Sequence, residues 1–142
     1  MGSRRQAREQ ALQILYQLDV TKNPAHQEVS RVFWSVTPSD ADVVEFADSV
    51  VTGVCAQAER IDALITEASH NWKVARMSYV DRNILRLAVF EFLEKSDVPT
   101  MVSINEAIEL GKRFGTSDSG AFINGILDRI ARGLDLTEEK SP

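Results

Sequence analysis

Residues 98–129, VPTMVSINEAIELGKRFGTSDSGAFINGILDR, decide the fold of this chain. They encode two helix starts, one sharp stop between them, and a polar elbow. Ser103 followed by Glu106 predicts a capping box, in which the serine oxygen accepts from the amide three residues on and the glutamate reaches back. Ala107, Leu110 and Phe114 recur at helical spacing. Lys112 and Arg113 occupy the last turn, where the helix dipole favours cations, and Gly115 offers a left-handed C-cap. Ser117, Asp118 and Ser119 all suit the N-cap of a second helix carrying Phe122, Ile123, Ile126, Leu127 and Ile130 and ending near Gly133. One cap would suffice. Three in a row read either as a polar hinge or as a surface with a second task.

The same signals continue towards the N-terminus. Ser78, with Asp81 at the fourth position of a capping box, starts a helix from Tyr79 to about Leu93. Its apolar residues, Ile84, Leu85, Leu87, Ala88, Val89, Phe90 and Phe92, cover most of the circumference, which predicts an enclosed central helix. Glu91 in that run reads as a satisfied core polar group. Residues 40–68 keep helical period, with Gly53 a place for an interruption, and 72–77 form a connection. Asn23-Pro24 and Thr37-Pro38-Ser39 bracket a short helix with Val29, Val32, Phe33 and Val36. Ser3 caps a first helix whose stripe is Ala7, Ala11, Leu15 and Leu18. No segment alternates with period two over a strand length, so the chain is all-α, with six to seven helices in one domain over residues 1–142 and a frayed tail from 136. Gly111 and Gly125 inside helices predict close packing, and Asn105 and Asn124 predict buried hydrogen bonds.

At 142 residues the chain is long enough to bury roughly two-thirds of its unfolded surface without disulfides or a metal. The single cysteine, Cys55, lies in an apolar helical pattern and predicts a buried thiol in a reducing compartment. The N-terminus is charged and no run reaches membrane-span length, which leads to a cytoplasmic expectation. A net charge of −5 argues against a uniformly basic surface. Residues 39–71 hold seven acids against Arg60, whereas residues 1–10 hold Arg4, Arg5 and Arg8 against Glu9. Three arginines in the first two turns of a helix oppose the macrodipole. An anionic ligand there explains the inversion better than a solvated charged face, because phosphate gains from both the arginines and the helix amides.

His26 and His70 stand apart from other metal-ligand types, and no phosphate-cradling glycine loop, nucleophile elbow or zinc-protease motif is present. The expectation is a binding protein and not an enzyme, with no cofactor and no metal.

The run Val102 to Leu110, then Arg113-Phe114-Gly115, Asp118-Ser119 and Phe122 to Asp128, resembles the C-terminal signature of the NusB family of bacterial transcription antitermination and termination-control factors. Arg4-Arg5-Gln6-Ala7-Arg8-Glu9 is similar to that family's arginine-rich helix start, and Asp81 to Glu91 to its central helix. Only residues 21–71 lack signature residues. The resemblance implies two stacked three-helix units and binding of boxA-type single-stranded RNA in leader and ribosomal transcripts. It also implies work with NusE, a small-subunit ribosomal protein, alongside other Nus factors and RNA polymerase. It places Arg4, Arg5 and Arg8 on RNA phosphates, Tyr16 on bases, Phe114, Asp118 and Phe122 near the RNA, and Asp81 near the NusE and RNA junction. The arginine run is short, and Gly120 replaces a longer polar residue. Two other readings remain open: a NusB-like domain of the kind that fronts ribosomal-RNA cytosine methyltransferases, and a bundle that binds only protein. Monomer and homodimer are both compatible with the sequence.

Overall fold

The computed structural model describes residues 2–136, which form seven α-helices, one 3₁₀ turn and no strand. Helix α1 spans Gly2–Thr21, α2 His26–Val36, α3 Ala41–Ala56 and α4 Ala58–Ala68. The 3₁₀ turn Val74–Arg76 leads into α5, Tyr79–Glu94, followed by α6, Thr100–Phe114, and α7, Ser119–Gly133. Two units stack. The first is α1–α3; the second is α5–α7 with α4 laid against α5 and α7. Helix α5 touches both, through α1 and α3 on one side and α4, α6 and α7 on the other. Its position follows from its composition: Ile84, Leu85, Leu87, Ala88, Val89 and Phe90 are all buried, so it has no apolar-free face to turn to water.

Residues 40–68 break at Gln57 (φ −116°, ψ 26°), four residues past Gly53. Gly53 serves packing there. A Cβ would lie 1.9 Å from Cε1 of Phe90, so only glycine lets α3 reach the central helix. Gly111 is similar, since a Cβ would sit 2.8 Å from Cδ1 of Ile123 on α7. Gly125 is not: its Cβ position meets only the Arg129 guanidinium of its own helix.

Several local expectations are overturned by neighbours that a local reading omits. The Ser78 cap holds, its Oγ accepting from the Asp81 amide at 3.0 Å. The Ser103–Glu106 box does not form, because α6 begins three residues earlier and Ser103 is buried inside it. Helix α1 begins at Gly2, which puts Ser3 within it. Gly115 is extended (φ −100°, ψ −156°) instead of left-handed, and its missing side chain makes room for the Ser119 hydroxyl, 2.3 Å from where a Cβ would be. The left-handed positions go to Lys22, His70, Asn71 and Asp135. After them, Asn23, Asn71 and Leu136 return amide bonds to Leu18, Thr66 and Ala131 respectively. That bond docks Leu136 against the core; the remainder of the expected frayed tail, 137–142, lies outside the described residues. Asn105 and Asn124 are exposed, and the buried amide is Asn83 instead. Cys55 is exposed on α3. On α2, Phe33 is buried whereas Val32 and Val36 face solvent.

Candidate nucleic-acid interface

The arginine-rich start of α1 runs along a seam with α5 and α6, and each arginine meets a different surrounding. Arg8 is 4 % exposed and makes two charge-assisted hydrogen bonds to Glu91 of α5, at 2.7 and 2.9 Å. Glu91, itself 2 % exposed, also accepts from Ser103 Oγ of α6 at 2.7 Å. This is why Ser103 caps nothing. It also withdraws Arg8 from the expected set of phosphate contacts. Pulling the guanidinium away would strand a buried carboxylate at a cost of about 3–5 kcal/mol, more than one phosphate contact returns. Arg8 therefore acts as a tie among three helices.

Arg5 lies further out and grips Glu106 of α6 through Nε and Nη2, at 3.0 and 2.8 Å. The guanidinium holds the Glu106 carboxyl below its usual range, against a smaller opposing effect of partial burial. Arg4 has no ion pair among the described residues, and its guanidinium lies 4.3 Å from the centre of the Phe46 ring of α3. Four residues beyond Arg5, Glu9 pairs with Arg113 in the last turn of α6. Arg113 in turn sits 5.3 Å over the ring of Phe114, which is 40 % exposed. The Glu9–Arg113 pair joins segments 104 residues apart and brings the start of α1 to the elbow before α7.

At that elbow Asp118 is exposed and occupies the N-cap of α7 without a side-chain cap bond. Thr116 is the organising residue: its amide donates to Ser119 Oγ at 2.9 Å, and its hydroxyl accepts from the Asp118 amide at 3.3 Å. The three cap-type residues are thus divided. Ser119 is buried and structural, whereas Ser117 and Asp118 face outward. Phe122 is half-buried against the core. Tyr16 lies on the same face of α1 as Arg5, roughly 17 Å along the helix, and packs edge-on to Tyr79 of α5 with ring centres 6.0 Å apart. Asp81 lies in the first turn of α5, and its Oδ1 is buried with no hydrogen-bond partner among the described residues.

The sequence reading missed Phe46, Glu106 and Ser103 as parts of this seam. Phe46 was legible only as a core residue, and nothing local tells an aromatic that lies under a guanidinium from one that does not. Among the described residues no group of three histidine, cysteine, aspartate or glutamate side chains could hold a metal, and no helix is long and apolar enough to cross a membrane.

The fold is an all-α bundle, and arginines beside exposed aromatic rings are the side-chain types that nucleic-acid-binding modules use. The NusB family model matches residues 5–132, and the chain belongs to the NusB family. It is 50% identical over 135 residues to the transcription antitermination protein NusB of Anaeromyxobacter dehalogenans, covering 94% of each chain. Among solved structures it resembles NusB of T. maritima, at 39% identity and a TM-score of 0.85 over 91% of this chain and 90% of that one. It also resembles a chain from a crystal structure of the antitermination factors NusB and NusE in complex with dsRNA. That match has 26% identity and a TM-score of 0.84, covering 94% of this chain and 98% of the other.

Proposed function

We propose that this protein is a transcription antitermination factor that acts in the cytoplasm as one RNA-binding domain, by binding and not by catalysis. It engages boxA-type RNA of ribosomal and leader transcripts together with the ribosomal protein NusE, within a larger assembly of Nus factors and RNA polymerase, and so helps the polymerase read through terminators. The observation that carries this reading is the seam itself. Arg5 of α1 and Arg113 of α6, each held by an exchangeable glutamate partner, line a face edged by Phe114, and Arg4, with no ion pair among the described residues, lies over Phe46 on the α3 side of the same helix start. Such a face offers backbone phosphates charge and bases a stacking surface. The likeness to a NusB chain solved with NusE and dsRNA supports both partners. Asp118 and Phe122 border the face, and Tyr16 extends it along α1. Asp81, partly exposed at the start of α5, is assigned to the protein partner by the family resemblance alone.

The test is an electrophoretic shift with single-stranded boxA-type RNA and with an RNA duplex, each with and without NusE. Wild type should bind the single strand more tightly, and NusE should strengthen that complex. The double variant Arg4→Ala/Arg5→Ala should bind more weakly at unchanged helicity, with the log–log salt slope reduced by roughly 0.7 per lost phosphate contact. An unchanged slope would move the RNA to another face, and no binding under any of these conditions would leave a bundle that binds only protein.

A further inference from the structure

Three of the four arginines on the seam are already neutralised. Arg8 is held by Glu91, Arg5 by Glu106 and Arg113 by Glu9. Arg4 is not, and it has company. Lys95, the C-cap residue just past α5, places its ammonium 5.3 Å from the centre of the same Phe46 ring that Arg4 covers at 4.3 Å. Neither cation has an ion pair among the described residues. With both so near one ring centre, the two charges lie within about 10 Å of each other. Arg8 lies at 5.6 Å from that centre, but its charge is cancelled by Glu91.

We infer that Arg4 and Lys95, converging on Phe46 from α1 and α5, form a phosphate clamp that takes one or two adjacent backbone phosphates of the bound RNA. The inference rests on the RNA-binding reading above and assigns Lys95 a role in it. Like charges held this close repel, and a phosphate relieves that repulsion. The ring fixes both cations in advance: cation–π contact orients them without the competing carboxylate that Arg5 and Arg113 must release before they can meet an anion. The clamp is therefore the part of the seam where phosphate binds without first breaking an ion pair. Lys95 escapes a local reading because it follows the helix and is separated from Arg4 by 90 residues of sequence.

The test titrates labelled single-stranded boxA-type RNA, at several salt concentrations, against wild type, Lys95→Gln, Lys95→Arg and Lys73→Gln. Lys73 precedes α5, roughly 24 Å from Lys95 along that helix, and controls for loss of one positive charge. Circular dichroism checks that each variant is folded. Lys95→Gln should weaken binding by about three- to tenfold and lower the salt slope by about 0.7, Lys95→Arg should restore both, and Lys73→Gln should change little. If wild type binds but Lys95→Gln matches Lys73→Gln, the clamp is wrong and the RNA-binding reading stands. If wild type itself fails to bind RNA with or without NusE, that reading fails and the clamp falls with it.

Discussion

At the scale of single residues, the seam holds two ion pairs of the same chemistry and opposite consequence. Arg8–Glu91 is dry, with side chains 5% and 1% exposed, and so it is permanent. Arg5–Glu106 is wet on the arginine side, 55% against 19%, and pairs of that kind contribute only about 0.2–1 kcal/mol. A phosphate can take Arg5 from Glu106 at little cost, but the displaced carboxylate then repels the RNA. Glu106→Gln should accordingly bind boxA-type RNA about two- to fivefold more tightly. Its stability in a urea melt should move by less than about 1 kcal/mol. Weaker binding of the variant would mean that Glu106 orients Arg5 for the RNA instead of competing with it.

At the scale of elements, α5 is the member around which the others are placed. Leu87 is 1% exposed at its middle, with α1 and α3 packed on one side of the helix and α6 and α7 on the other. Leu87→Ala should therefore cost about 2–5 kcal/mol, read from the shift in denaturant midpoint at constant slope. A loss below about 1 kcal/mol would show that the packing around α5 collapses to fill the void. The helix also carries the seam. Glu91 and Lys95 are one turn apart at its C-terminal end, one anchoring Arg8 and the other meeting Phe46 beside Arg4. A shift of α5 along its axis would thus disturb core and interface together.

At the scale of the whole molecule, Asp19 ties the two units from the end of α1 opposite the seam. Its carboxylate accepts from Arg82 at 2.7 and 2.8 Å, from Asn83 at 2.8 Å and from Arg86 at 3.0 Å, and Arg86 continues to Asp62 of α4. Burial pushes the Asp19 carboxyl up. The hydrogen bonds from Arg82 and Asn83 and the charge of Arg86 outweigh it and hold the group well below its ordinary value of 3.8. A carboxyl depressed on folding contributes stability that is complete above its unfolded pKa and is lost as pH falls towards its folded one. Stability should therefore decline below about pH 4, and Asp19→Asn should flatten that decline while lowering stability at neutral pH. Urea melts at pH 7, 4 and 3 check it; an equally steep acid decline in the variant would assign the loss to other carboxyls. The sequence alone determined the all-α class, the Ser78 cap, the enclosed α5 and the family, since each is written in spacings of three to four residues or in an ordered motif. It did not determine the cap before α6, the left-handed turns at Lys22 and His70, or the fates of Arg4, Arg5 and Arg8. The turns at Lys22 and His70 are closed by local amide bonds to Leu18 and Thr66 that no side-chain pattern announces. The cap and the arginines were decided by residues such as Glu91, Glu106 and Phe46, which lie far from them in sequence, so that only the packing of whole helices brings them within reach.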